Sequence, residues 1–365
     1  MFGFSNLIYY LGSIFLGWGL GANDSANIFG TAVSSGMVKF RIAAICTAGF
    51  VIIGAVLQGK AGIETLAFSL NEKHKVVQSN NINNNTKVNL HKISSRNLNT
   101  DTEKSSYARA IIKEIKKNKP LEEAMIMSFA AALTVFFMTL RRLPVSTSQA
   151  IVGAIIGLGI IQNNVNLDGL GKVVLCWVGT PVGGIIFTLI FYYIFKKIFN
   201  FLKPSVLQYD VVMRILLILT GCYGAYALGA NNVANVTAVF VSCGALTVTQ
   251  ASWFGGITIA IGVISYSKPV METVGNDIVK LDAFMAFITV LSLSVTVYIY
   301  ALIGVPVSTT QAIVGAVIGI GIIKGSQTVN FKTIKSIVLA WILTPIIGGI
   351  LAAVGYFMSN LYYIT

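Results

Sequence analysis

Charge is what this sequence has least of. Asp, Glu, Lys and Arg make up 11% of its 365 residues, against 55% hydrophobic, and the stretches 42–57, 173–195, 211–230 and 334–357 carry almost none. A soluble domain needs a charged surface, so this depletion excludes one and leaves an all-α polytopic membrane protein. Histidine is missing from the apolar segments altogether, since His74 and His91 both lie in a polar stretch. Without a membrane histidine, an HExxH element or paired aspartates there is no machinery for an intramembrane enzyme. There is also no GxxxxGK(S/T) loop for an ATP-driven pump. The four cysteines, Cys46, Cys176, Cys222 and Cys243, stand singly in apolar sequence, without metal-ligand spacing, and read as packing residues. No cofactor is called for. The N-terminal apolar stretch has no basic leader and runs into a polar motif instead of a cleavage site, so it is read as a first membrane helix.

What the chain does have is an internal duplication. PVSTSQAIVGAIIGLGIIQ at 144–162 returns as PVSTTQAIVGAVIGIGIIK at 306–324, matching at 15 of 19 positions, and GANDSANIFGTAVSSG at 21–36 is echoed by GANNVANVTAVFVSCG at 229–244. The offset is 208 for the first motif and 162 for the second, so the first half carries an insertion of 46 residues between them. It falls in 72–120, an Asn/Lys/Ser-rich segment with 11 Lys/Arg against 4 Asp/Glu, expected to be a solvated excursion with a helical end near 105–119. Tyr107 is its only aromatic residue, which argues against nucleic acid as a partner.

The expected organisation is a first membrane repeat at 1–200, including the 72–120 insertion, and a second at 201–365. Each has about five hydrophobic segments: 7–35, 42–68, 121–140, 144–162 and 171–195, then 211–243, 251–267, 282–303, 306–323 and 334–358. An odd number per half places homologous halves in opposite orientations, giving two inverted repeats, with broken or re-entrant helices expected at the duplicated motifs. The basic residues flanking the segments, among them Lys39, Arg41, Arg141, Arg142, Lys196, Lys197, Lys268 and Lys280, fall on one face, which is then cytoplasmic. Both termini and the 72–120 loop are expected on the other side of the plasma (inner) membrane.

Asp24 is the one carboxylate read as far from a membrane boundary. A lone buried carboxylate needs a cation or a proton, and its segment has no Lys or Arg. Na⁺ or H⁺ is therefore the expected partner, with Asn23, Asn27, Asn231, Asn232 and Asn235 as further oxygen ligands. The PVST elements read as helix starts: Pro suits the first turn, and Ser146, Thr147 and Ser148, like Ser308, Thr309 and Thr310, can cap or flank free N–H groups. A helix start inside the membrane binds an oxyanion without a buried basic side chain. Duplication points both starts at one substrate, with Thr147 and Thr309 contributing equally and Gln149 and Gln311 lining or packing beside them.

GANDSANIFGT and the two PVST(S/T)Q elements, in this order and duplicated, resemble the inorganic phosphate transporter (PiT) family over both halves apart from 72–120. The resemblance implies a secondary transporter that takes up inorganic phosphate with Na⁺ or H⁺, as a homodimer in the lipid bilayer. It implies Ser146, Thr147, Ser148, Ser308, Thr309, Thr310, Asn27 and Asn235 at the phosphate, and Asn23, Asp24, Asn231 and Asn232 at the coupling ion, with Na⁺ at Asp24 and Asn23. The chain departs from the family pattern at Asn232, where an aspartate is usual, at Gln149 and Gln311, where histidine is common, and at Val51, near an expected glutamate. Sulfate or another oxyanion is the alternative substrate, and an anion channel the alternative mechanism.

Overall fold

The computed structural model describes residues 4–80, 101–140, 145–163, 165, 167–277, 281–325 and 331–364. After a 3-10 turn at Phe4–Tyr10 come eleven described α-helices. They are α1 Leu11–Ser34, α2 Phe40–Gln58, α3 Lys60–Asn80, α4 Asp101–Leu140, α5 Thr147–Ile161, α6 Leu167–Leu202, α7 Val206–Ser242, α8 Val248–Asp277, α9 Ala283–Ile303, α10 Thr309–Lys324 and α11 Phe331–Ile364. No strand occurs among the described residues. Seven stretches are long and apolar enough to cross a membrane: Phe40–Gln58, Lys119–Thr139, Leu170–Leu202, Val206–Ser242, Val248–Glu272, Ala283–Ile303 and Lys335–Leu361. Helix α1 has 24 residues and thus about 36 Å, enough for a ~30 Å hydrocarbon layer, although its polar motif lowers its hydropathy.

The motif helices differ in a way the sequence did not separate. Helices α5 and α10 have 15 and 16 residues, roughly 22–24 Å, and cannot span alone. Their starts are the expected breaks. Helix α1, by contrast, runs straight through GANDSAN, and α7 through GANNVAN, so no break occurs there. The asparagines and the aspartate make their side-chain hydrogen bonds with other side chains or with the segment before α10 and do not compete for the backbone of their own helix, while the glycines serve close packing. A Cβ at Gly21 would overlap the Ile259 carbonyl of α8, and one at Gly262 the Trp18 carbonyl of α1. The same pair recurs 208 residues away in each partner: Gly229 meets the Val51 carbonyl, and Gly54 meets the Tyr226 carbonyl. Thus α1 packs on α8 and α7 on α2.

The short helices are exchanged likewise. Gly153 of α5 lies on the Pro345 carbonyl of α11, and Gly315 of α10 on the Pro181 carbonyl of α6. Helix α5 also returns alongside α4, because Gln162 at its C-terminal end donates to Glu123 Oε1 at 2.8 Å, whereas its first residue, Thr147, lies in the centre. Thr139, near the end of α4, also lies at the centre, against Asn23, so α4 and α5 run antiparallel over the same depth, the arrangement of a re-entrant helix pair.

How a buried break is tolerated is visible before α10. Helix α9 closes with Gly304 in the left-handed region, φ 78°, whose N–H donates to the Ala301 carbonyl at 3.1 Å, as the Val305 N–H does to Tyr300 at 3.0 Å. The extended residues that follow are buried and have no helix to satisfy them. Asn231 of α7 does so instead: its Nδ2 donates to the Val305 carbonyl at 3.1 Å, and its Oδ1 accepts from the Val307 N–H at 2.9 Å.

Two boundaries move. The segment expected at 42–68 divides at Gly59, where α2 ends and α3 begins and continues to Asn80. Helix α4 starts at Asp101, ahead of the helical end expected at 105–119, because 101–119 is rich in Lys, Glu, Arg and Ala, all good helix formers, and Pro120 lies inside the helix. The centre of the expected loop, 81–100, together with Arg141, Arg142, Pro144 and Lys280, lies outside the described residues.

Candidate functional site

The four central elements of the bundle meet at one carboxylate. Helix α1 carries Asp24, 2% exposed, and α7 carries Asn232, its counterpart 208 positions on, 1% exposed. Asn232 Nδ2 donates to Asp24 Oδ2 at 3.2 Å, and Thr147 Oγ1, in the first turn of α5, donates to the same oxygen at 3.4 Å. Thr309, in the first turn of α10, also faces this carboxylate, but its hydroxyl does not reach full hydrogen-bond geometry. One turn along α7, Asn235 Nδ2 donates to Asn232 Oδ1 at 3.3 Å. That contact fixes which end of the Asn232 amide faces Asp24.

A second link joins the two helix starts directly. Asn27 Nδ2, half-buried on α1, donates to Thr310 Oγ1 at 3.4 Å, and Thr310 Oγ1 donates to the Val145 carbonyl at 3.0 Å, just ahead of α5. Both starts have the same cap. Ser146 and Ser308 are extended, and their side-chain oxygens accept from the N–H of Gln149 at 3.3 Å and of Gln311 at 3.2 Å. The N–H groups of Thr147, Ser148, Thr309 and Thr310 have no intrahelical acceptor, as in any first turn. Ser148 shares a 3.2 Å contact with Ser146. Each start therefore presents two free N–H groups and the positive end of a helix dipole within the buried centre.

Several buried polar atoms here lack a hydrogen-bond partner: Asp24 Oδ1, Asn235 Oδ1, Thr309 Oγ1, Gln149 Oε1 and Gln311 Oε1. An unmade hydrogen bond at a buried group costs roughly 1–3 kcal/mol, more where the group is charged. Such orphans, drawn from both copies of both motifs, are expected of a site built for a ligand with donors and positive charge to offer.

Three of the expected ion ligands have other contacts here. Both ends of the Asn231 amide are engaged with backbone. Asn23 points about 100° away from Asp24 on the unbroken helix, and its Nδ2 donates to Thr139 Oγ1 of α4 at 3.4 Å. Asn232 faces Asp24 with its Nδ2, and its oxygen accepts from Asn235.

One buried carboxylate escaped the sequence reading. Glu123, read as lying at a segment end, is 7% exposed within α4 and is held by Gln162. Beside it, Ser359 of α11 donates to Glu122, and Lys119 lies over the Tyr356 ring at 5.8 Å. The small residues that follow, Ala124, Ser128 and Ala130–Ala132, were the available sign that this turn packs inward.

The profile described as "Phosphate transporter family" matches residues 20–352. A protein of Pyrococcus furiosus named "Putative phosphate permease" is 27% identical over 95% of this chain and 94% of its own length. A protein of the same name from Methanocaldococcus jannaschii is 32% identical over 63% of this chain and 73% of its own. A sulfate permease of Bacillus subtilis is 25% identical over 96% and 86%. Among solved structures, one titled "The sodium-dependent phosphate transporter" superposes with a TM-score of 0.77 at 24% identity, covering 98% of this chain and 99% of that one, a likeness of fold. With the profile running through both motif pairs and through every residue that meets at Asp24, this multi-span membrane protein belongs to the phosphate transporter family.

Proposed function

We propose that the protein is a secondary active transporter that takes up inorganic phosphate together with Na⁺ or H⁺, by alternating access of two inverted repeats, 1–200 and 201–365. The observation that carries the reading is the set of buried, unpartnered oxygens around Asp24 between two helix starts. Phosphate is held by the free N–H groups of the first turns of α5 and α10 and by the hydroxyls of Thr147, Ser148, Thr309 and Thr310, with Asn27 and Asn235 at its edge. Ser146 and Ser308 act mainly as caps. The cation lies at the open Asp24 Oδ1, where it balances both the carboxylate and the incoming anion.

Alternating access draws on the exchanged contacts, α1 on α8, α7 on α2, α5 on α11 and α6 on α10, which are built on backbone against glycine with few polar contacts to break, Trp18 Nε1 to Ser265 Oγ among them. The proposal includes the plasma membrane, extracytoplasmic termini and a homodimer, the last carried over from the family resemblance. Sulfate is the second reading, because a sulfate permease is among the relatives. Phosphate is favoured by chemistry: the orphan Asn235 Oδ1 is an acceptor, and hydrogen phosphate brings a P–OH donor that sulfate lacks.

The test is radiolabelled phosphate uptake into proteoliposomes under imposed Na⁺ and pH gradients. Wild-type protein is expected to accumulate phosphate saturably, with little competition from sulfate, and Asp24→Asn to abolish gradient-driven uptake while purifying as a monodisperse species. Gradient-independent, non-saturable flux would show a channel instead.

A further inference from the structure

Asp24 and Asn232 hold the same place in the two copies of the GAN motif and touch across the centre of the molecule at 3.2 Å. One copy supplies a carboxylate and the other its uncharged near-isostere. The contact is one-sided, since Asp24 Oδ2 receives both Asn232 and Thr147 while Oδ1 is buried without a partner. Asn235 donates to the amide oxygen, and the Asp24 carboxylate, which can only accept, favours Nδ2 on its side. Two carboxylates at this separation in a buried site would repel strongly and need a cation between them. A fixed N–H donor removes that need and leaves a single carboxylate oxygen to be met by an ion.

We propose that Asn232, oriented by Asn235, is a built-in neutral substitute for one coupling cation, so that this site takes up one cation charge for its one carboxylate, and that either copy of the motif can carry that carboxylate. The proposal rests on the coupled-uptake reading above and adds to it the number of ions and the residue that sets it. No Lys, Arg or His takes part in the described hydrogen bonds of this cluster.

The experiment compares wild type, Asp24→Asn, Asn232→Asp and the exchanged double variant Asp24→Asn/Asn232→Asp in proteoliposomes, reading phosphate uptake against the concentration of whichever cation drives the wild type. Asn232→Asp is expected to steepen the Hill slope by about one, one further cation for one added carboxylate. The exchanged variant is expected to regain the uptake lost in Asp24→Asn, at the wild-type slope, because it restores one carboxylate facing one amide. An exchanged variant as inactive as Asp24→Asn, though monodisperse, would overturn the interchangeability. An unchanged slope in Asn232→Asp would overturn the substitution. If Asn232→Asp alone does not yield folded protein, the exchanged variant decides, since it adds no net charge. A wild type without cation-driven phosphate uptake removes the transport reading itself, and the inference with it, which is a different result from a transporting wild type with indifferent variants.

Discussion

Thr147 and Thr309 occupy equivalent positions in a duplicated motif, yet the structure makes them unequal, and the inequality can be measured. Thr147 Oγ1 donates to Asp24 Oδ2 at 3.4 Å, whereas the Thr309 hydroxyl, on a residue 2% exposed, faces the same carboxylate outside full hydrogen-bond geometry. Replacing Thr309 by valine removes a buried orphan and puts a methyl group in its place, so the empty protein should gain up to about 1–3 kcal/mol, a rise of at most a few degrees in melting temperature. The same change removes a donor from the bound anion, a hydrogen bond to a charged group worth about 1.5–3 kcal/mol, or roughly 10- to 150-fold in affinity. Thr147→Val should weaken phosphate by a similar factor but should also lower the melting temperature, because it strips a donor from a buried carboxylate. The assay is thermal melting of the detergent-solubilised protein with and without phosphate, alongside a phosphate titration. The reasoning fails if Thr309→Val melts lower than wild type, or if it binds phosphate unchanged.

Asn231→Ala removes both hydrogen bonds to the buried extended segment before α10 and leaves a carbonyl and an N–H unsatisfied. At about 1–3 kcal/mol each, it should destabilise the protein strongly while any surviving uptake keeps the wild-type cation slope. Gly153→Val and Gly315→Val each drive a side chain into a proline-bearing backbone, Pro345 and Pro181 respectively, that cannot move aside. Both should abolish the monodisperse peak on gel filtration, and to a comparable degree, whereas Gly36→Ala, which meets no neighbouring atom but strains a φ of 73°, should cost only about 1–2 kcal/mol of stability.

How much of this was legible in the sequence depends on whether the signal was local. The apolar stretches gave the membrane helices, since each is long enough to bury in lipid by itself. The paired motifs gave the convergence of Asp24 with Thr147 and Asn232, since residues that lipid disfavours must face one another. Three things were hidden because they depend on direction or on distant partners. Chain adjacency put Asn23 beside Asp24 in the motif, but helix geometry turns Asn23 toward Thr139. The two neighbouring asparagines of α7 looked alike, yet Asn231 meets the α9–α10 break and Asn232 meets Asp24. Glu123 resembled a boundary residue because the apolar segment begins at 121, directly after the polar 72–120 stretch, whereas α4 begins at Asp101 and carries it inside.

Duplication also hides what each copy has since changed. By the motif offset of 162, Glu122 of α4 corresponds to Phe284 of α9. By the offset of 164 between the Trp-containing helices, Tyr356 and Ser359 of α11 correspond to Tyr192 and Phe195 of α6. The first copy closes this contact with polar groups: Glu122 to Ser359, Glu123 to Gln162 and Lys119 over Tyr356. The second closes it with rings, Tyr192 against Phe284 at 5.7 Å and Phe195 against Phe287 at 4.8 Å. Water can replace the partners of a carboxylate at little net cost, whereas separating these edge-to-face rings exposes apolar area at about 25 cal/mol per Å². A shared backbone plan therefore carries two contacts of different chemistry, one readily hydrated and one dry. Alignment of the two halves alone, which pairs a glutamate with a phenylalanine, records the substitution but not the helix each side chain meets.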